Sequence, residues 1–376
     1  MIFTQEKILQ ENLDSDIEDE FEDSSVGITR PFDPDKIKVT TIPALIDGIV
    51  KRVDFNEIDL APAFQRKARL WNHARKSRLI ESLLLRIPLP VFYVASDDQD
   101  RWSVVDGIQR LTTIYDFIKN QYALSDLEYL IKLNDLKFDQ LPRSFQRRIE
   151  ETSLVVHLIQ DGTPEEVMIN IFKRINTGGM ELTAQEIRNA LNKGIVREFL
   201  LTLASAEEFT LATTNPINDS RMQAQEMVLR FFSFYLHPWE EYVTGSMGLD
   251  SYLTRTMREL NKLSEIERTN LAKKFKNSMI CSYKIFGSET FRKPKDGIRR
   301  NPINKALFEA WSVNIAHCSD EQQKILINKK LEIYEKFRQL ASDEYFNASI
   351  SASTGASTRV ALRFSKIEHL IKEILK

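Results

Sequence analysis

The eighteen residues RWSVVDGIQRLTTIYDFI, at positions 101–118, constrain this chain more than any other stretch. A short β-rich run, Trp102–Val105, ends in Asp106-Gly107. An amphipathic helical pattern then begins at once, with Leu111, Ile114, Tyr115 and Ile118 on one face. A strand that turns through glycine straight into a helix leaves backbone N–H groups free at the turn, and these, with the helix dipole, attract anions. Asp106, Gln109 and Arg110 crowd that junction. Arg110 offers a planar, permanently charged fork suited to phosphate oxygens. Asp106 offers an acceptor for a magnesium-bound water or for a base or ribose group. The same residues also read as an ordinary helix cap, with Arg110 a solvated first-turn residue. Both readings stay open on sequence alone.

A chain of 376 residues has room for two or three domains and a proper core. Cys281 and Cys318 lie far apart and form no C-x-x-C pair, which argues against a disulfide framework or a cysteine zinc site and fits a reducing compartment. No apolar run approaches the roughly 20 residues that span a bilayer. The start, MIFTQEKILQ, lacks the basic head and apolar core of a secretory signal. A cytoplasmic protein with no membrane association is expected. The net charge of −2 hides an asymmetry: residues 1–29 hold nine acids against Lys7, a net of −8, so the remainder carries +6. An acidic leader precedes a modestly basic body. It reads either as a disordered, solubilising tail or as a segment that docks on a basic surface of the body or of a partner.

Patterning predicts three parts: a disordered acidic leader over 1–30, a mixed α/β domain over 31–194, and an all-helical domain over 195–376. The fold class is α+β. Short β-like runs at 37–41 and 56–60 flank a short helix predicted at Ile42–Lys51. Asn72 is a plausible N-cap for a helix that ends near Arg86, before Pro88 and Pro90. Val91–Ala95 and Trp102–Val105 form a hairpin across DDQD, the helix from Ile108 to Asn120 follows, and Leu154–Ile159 is a third strand. Two capping boxes, Thr163–Glu166 and Thr183–Glu186, open successive helices, and Gly194 can end the second. Helical spacing then recurs near 219–236, 249–262, 264–286, 302–317, 320–341 and 357–375, with a small-residue loop at 347–358.

Charge clusters mark candidate contacts. Arg66 follows a proline-flanked extended segment, and between Arg66 and Arg86 seven Lys/Arg face one acid, Glu81. This is either a solvated helix face, or Arg66 meets phosphates while Lys67, Arg69, Arg75 and Lys76 meet a nucleic-acid backbone or a partner. A second cluster, Arg292–Lys305, holds six basic residues against Asp296 and includes Arg299 and Arg300. It bears Pro and Gly, which favours exposure and contact. A Walker-type loop, G-x-G-x-x-G, G-x-S-x-G and H-E-x-x-H are all absent. Glu186 and Arg188 are expected as a capping residue and a helix-surface charge.

Three ordered motifs carry a resemblance. FQR (64–66) and Trp71 precede KSRLIESLLLRIPLP; DGIQRLTTIYDF follows; then FKRINTGGMELTAQEIRNAL. This order resembles the DGQQR family, the ParB/sulfiredoxin-like domain that forms the first part of GmrSD-type, modification-dependent restriction systems, over roughly residues 40–200. The resemblance implies a nucleotide-binding domain, often a nucleoside triphosphatase with divalent metal, acting in bacterial defence against foreign DNA and coupled in several members to an HNH-type nuclease domain. No HNH motif is evident here: HPWEEY at His237 lacks the spacing and partners, so a separately encoded nuclease is expected. The motif maps onto Asp106, Gly107, Ile108, Gln109 and Arg110, with Ile108 in place of the first glutamine. If that glutamine positions the γ-phosphate or the attacking water, hydrolysis is weakened while binding survives; if Ile108 faces the core, the loss is trivial. The resemblance implies Asp106, Gln109 and Arg110 as catalytic, with Asp106 toward Mg²⁺. Arg66, Gly107, Gln109, Arg110, Arg174 and Asn176 would bind the nucleotide. Two rivals are a ParB-like DNA nuclease or nickase and a non-hydrolysing, nucleotide-gated module that binds DNA or protein.

Overall fold

The computed structural model describes residues 17–18, 38–60, 71–96, 99–160, 162–163, 168, 183–192, 194–214, 217, 219–245, 247–294 and 300–376. The chain divides into two compact units, Phe32–Leu191 and Asn192–Lys376, the second together with Met1–Pro31.

The first unit contains β1 (Val39–Leu45), α1 (Ile46–Asp54), β2 (Ile58–Asp59), α2 (His73–Leu84), β3 (Phe92–Ser96), β4 (Trp102–Asp106), α3 (Ile108–Ile118), α4 (Arg143–Glu150), β5 (Ser153–Ile159) and α5 (Ala184–Leu191). Its strands form one mixed sheet in the order β1–β5–β3–β4–β2. β1 is antiparallel to β5 and β3 to β4, whereas β5–β3 and β4–β2 are parallel. One face is covered by an apolar core that includes Ile80, Leu84, Phe92, Val104, Leu111 and Phe117. Each such side chain, once buried, stabilises the unit by about 1.5–3 kcal/mol. The opposite face carries a smaller cluster in which Ile187 of α5 meets Ala95, Val105 and Ile159.

The expected hairpin and the strand at 154–159 are present, and Asn72 caps α2 by accepting from the Arg75 N–H at 2.9 Å. The helix predicted over Ile42–Lys51 is corrected. Residues up to Leu45 are strand and the helix starts at Ile46. Thr40, Thr41 and Ile42 are β-branched, and β1 lies at the sheet edge, where the missing N–H of Pro43 is tolerated. The Thr163–Glu166 capping box falls largely outside the described residues.

In the second unit the helices are α6 (Ile195–Ala204), α7 (Glu207–Thr213), α8 (Gln223–Leu236), α9 (Trp239–Thr244), α10 (Leu249–Lys262), α11 (Glu265–Phe286), α12 (Lys305–His317), α13 (Asp320–Asn328), α14 (Lys330–Ala341), α15 (Glu344–Ser349) and α16 (Ser357–Leu375). α8 and α12 are buried on nearly every face, as expected of central helices. Phe231, Phe232, Phe275, Phe308 and Trp311 fill the space around them. The stretch expected as one helix at 320–341 breaks at Lys329, whose ammonium donates to the Ile374 carbonyl at 2.7 Å. Among the described residues, no helix is long and apolar enough to cross a membrane.

Candidate functional site: the strand–helix junction at Asp106

The register of the β3–β4 hairpin slips by one residue between Tyr93 and Val94, so that Tyr93 pairs with Asp106. Such a bulge re-aims the side chain beside it. Gly107 follows in the left-handed region, at φ 95°, and serves as the N-cap of α3. A Cβ at this position would collide with the Phe92 ring. Glycine is therefore required twice over, by conformation and by space.

Arg110, one turn into α3, folds back over this corner. Its Nη2 donates to Asp106 Oδ2 at 2.8 Å and to the Val91 carbonyl at 3.2 Å, and its Nη1 donates to the Pro90 carbonyl. The guanidinium sits 4.4 Å from the Phe92 ring centroid. Burial pulls Arg110 below its ordinary pKa, and the Asp106 carboxylate pulls it back up. The fork expected to face phosphate thus braces the Pro90–Val91 strand entry and orients Asp106. Asp106 does not cap α3 with its side chain: the cap is Gly107, which has no side chain to do so.

Beyond the turn, α3 carries a polar stripe. Gln109, Thr112 and Asp116 recur at i, i+3 and i+7 and so share a face. Thr112 and Asp116 are buried. The Gln109 Oε1 and Thr112 Oγ1 atoms are buried and have no hydrogen-bond partner among the described residues. Native proteins rarely leave such atoms unpaired unless a ligand or water completes them. Asp116 lies 3.7 Å from the Lys76 ammonium of α2, which also sits 5.2 Å from the Tyr122 ring centroid. Burial first, then the Asp116 charge, pushes the Tyr122 phenol well above its usual value. Lys76 therefore points into the α2–α3 seam, where the sequence offered it to a nucleic-acid backbone. Thr112 and Asp116 were missed as site residues. Their signal was present as a polar i, i+3, i+7 spacing on the far side of the apolar stripe.

The other candidates separate. Arg75 is exposed and stacks at 4.3 Å on the Trp71 ring. Arg300, in the helical unit, is exposed and donates to Thr214 Oγ1 at 2.7 Å. Arg66, Lys67, Arg69, Arg174, Asn176 and Arg299 lie outside the described residues. Glu186 forms the expected capping box: the Thr183 N–H donates to its Oε2 at 2.6 Å, and its own N–H donates to Thr183 Oγ1 at 3.1 Å. Arg188 is a correction. Far from being a surface charge, it is 1% exposed and donates through Nε to Gln185 Oε1 at 2.9 Å, on a helix whose Gln185 and Asn189 are also buried. Helical periodicity places Arg188 one residue from the apolar Ile187, and packing of α5 against the sheet buries both. Ile108, where the related motif has glutamine, is buried in the main core of the unit. The departure from the motif falls at a core-facing position.

Among the described residues, no group of three or more His, Cys, Asp or Glu side chains gathers as for a metal. Mg²⁺ needs less from a protein: one or two carboxylates, with waters and substrate phosphates completing its octahedron. Asp106, about one-third exposed and engaged by Arg110 through Oδ2 alone, fits that limited role.

No curated protein matches the chain. Residues 47–192 match the family described as the GmrSD restriction endonuclease, N-terminal domain, a span that holds the hairpin, the Asp106–Gly107 turn, the α3 polar stripe and α5. Over residues 47–192, therefore, the chain carries a GmrSD-type N-terminal domain.

Proposed function

We propose that the first unit, a ParB/sulfiredoxin-like domain, binds a nucleoside triphosphate at the Asp106–Gly107 turn, and that the chain is the cytoplasmic sensing or regulatory component of a bacterial DNA-defence system whose nuclease is encoded separately. The observation that carries this reading is the buried Gln109 Oε1, without a partner among the described residues, two positions past a left-handed glycine at a helix start. The start of α3 supplies N–H donors and a positive dipole end for phosphate. Gln109 and Thr112 would receive a donor from the ligand or from water. Asp106 would hold Mg²⁺, which supplies charge neutralisation in phosphoryl transfer. Arg110 fixes the Asp106 carboxylate, and Arg66, Arg174 and Asn176 would complete the phosphate contacts. Hydrolysis fits the motif that Ile108 leaves otherwise intact.

The test is phosphate release from each of the four NTPs with Mg²⁺, with and without DNA, comparing wild type with Asp106→Ala and Gln109→Ala. Turnover abolished by either substitution supports the reading. A nucleotide-specific thermal shift without turnover would make this a nucleotide-gated binding module. Metal-dependent plasmid nicking that requires Asp106 would favour the nuclease alternative.

A further inference from the structure

Ile17 and Glu18, within the acidic leader, meet Lys293, Ile303 and Asn304 in the second unit. Ile17 is 3% exposed and belongs to the apolar core of that unit. It forms a parallel bridge with Ile303, which also forms an antiparallel bridge with Arg292. The Glu18 N–H donates to the Ile303 carbonyl at 2.7 Å. Both oxygens of the Glu18 carboxylate are held: Lys293 Nζ donates to Oε1 at 2.6 Å, and Asn304 Nδ2 donates to Oε2 at 2.8 Å.

The two receiving side chains are themselves fixed. Lys293 also donates to Ser351 Oγ at 2.9 Å. Asn304 caps α12 by accepting from the Leu307 N–H at 2.8 Å, and donates to the Ile350 carbonyl at 2.6 Å. A buried apolar anchor, backbone pairing alongside a strand-like segment and a two-point grip on a carboxylate are the parts by which proteins recognise extended peptides.

Ile17 and Glu18 stand in a strongly charged stretch of the sequence. Between Glu11 and Asp23 there are eight acidic residues and no basic one, whereas Arg292–Lys305 has six basic residues and one acid. Every acid in that run lies within six positions of Ile17. At about 3.5 Å per extended residue, each stays within about 21 Å of the grip whatever its conformation. We infer that Ile17–Glu18 is a clasp that seats the leader, in cis, against Lys293, Ile303 and Asn304, so that the leader competes with a nucleic-acid phosphate backbone for Lys293 and the exposed Arg300. The identity of the polyanion rests on the proposed DNA-defence function; the clasp does not.

The test uses the full chain and a fluorescent synthetic peptide spanning residues 11–23. A tethered occupant acts at an effective concentration on the order of millimolar, so wild type should bind the peptide at least about tenfold more weakly than Ile17→Asp, whose own clasp is released. A peptide carrying Glu18→Lys should fail on Ile17→Asp and recover on Ile17→Asp/Lys293→Glu. Since Ile17→Asp disturbs a core position, Glu18→Lys in the full chain, read with the wild-type peptide, provides the second variant. Equal peptide binding by wild type and both variants, or none by any, overturns the clasp. A wild-type dimer that the peptide dissociates overturns its assignment in cis. A short labelled DNA duplex should bind the released variants about tenfold more tightly than wild type, with a steeper salt dependence. A released clasp with unchanged DNA affinity overturns the competition while leaving the clasp, and DNA binding absent throughout counts against the DNA-defence reading alone.

Discussion

Arg110 reaches back one helical turn to Asp106 with a 2.8 Å ion pair, while the same guanidinium lies against the Phe92 ring over Gly107. Four residues from two strands and a helix are thereby locked into one corner, and the carboxylate at its centre is aimed by its neighbours rather than by its own backbone. A point charge on a flexible stem cannot reproduce a planar fork that serves two carbonyls and a carboxylate together. Arg110→Lys should therefore lower turnover, or nucleotide affinity, nearly as far as Arg110→Ala. Recovery of most of the wild-type signal by lysine, in the phosphate-release assay, would reduce the role of Arg110 to charge alone.

Gly107→Ala should be strongly destabilising. The position has φ 95°, and the added methyl meets Phe92, a fully buried ring in the core. The left-handed backbone alone costs about 1–3 kcal/mol for a residue with a Cβ. Relief of the collision must displace Phe92 from a close-packed core, which adds about 1–3 kcal/mol more. A shift in the urea midpoint at constant m-value is the expected record.

The corner was legible in the sequence because its signals are local. The β-rich run Trp102–Val105, the Asp-Gly turn and the spacing of Leu111, Ile114 and Ile118 each sit within a few residues. Capping chemistry was equally legible at Asn72 and at Thr183–Glu186. What escaped depends on residues distant in the chain. The extension of β1 through Ile42–Leu45 needs β5 beside it, more than a hundred residues away. The half-burial of Lys76 needs the partner Asp116, and the burial of Arg188 needs the packing of α5 on the sheet. The break at Lys329 leaves Leu326, Ile333 and Phe337 all buried, so apolar spacing runs straight across it. The one-residue slip that turns Asp106 has no sequence signature at all.

Glu81 offers a pH prediction. Burial alone would raise its pKa, but the backbone N–H groups of Leu130, Glu128 and Tyr129 donate to its carboxylate at 2.8–3.0 Å and hold it below the ordinary value. A depressed folded-state pKa means that the unfolded chain takes up the proton first as pH falls. The contribution of Glu81 is thus complete above the unfolded value, near 4.5, and disappears as pH drops through the lower folded one. Glu81→Gln should cost about 1.5–3 kcal/mol near neutrality, as expected for hydrogen bonds to a charged group. The gap from wild type should close in chemical-denaturation series carried below pH 4.5. A constant gap across that range would show that the carboxylate charge is irrelevant.

In the helical unit, Glu309 and Arg363 are each 0% exposed and hydrogen-bonded to one another, with Arg230 3.5 Å from the second Glu309 oxygen. Removing one partner strands a buried charge. Glu309→Leu should cost about 3–5 kcal/mol, since it leaves Arg363 without its carboxylate. Glu309→Leu/Arg363→Met should cost less than the sum of the two single changes, because it removes both charges together. Additive losses in a double-mutant cycle would show that the pair contributes independently of its partner.

Gln109 separates binding from stability. A glutamine that serves the fold would have its carboxamide oxygen paired, and its loss would leave a partner unsatisfied at a cost of about 1–3 kcal/mol. Here the oxygen is buried with no partner among the described residues, one helical turn before Thr112, whose hydroxyl is in the same condition. Where neither ligand nor water supplies a donor, the folded protein carries the desolvation cost of both groups. Gln109→Leu keeps the approximate volume and removes that cost, so thermal stability should hold or rise by about 1 kcal/mol, while nucleotide-dependent stabilisation in a melting series disappears. Thr112→Val should show the same opposition in smaller measure. If both variants instead melt lower than wild type and keep a full nucleotide-induced shift, the α3 stripe is part of the scaffold, and the ligand must be sought elsewhere on the domain.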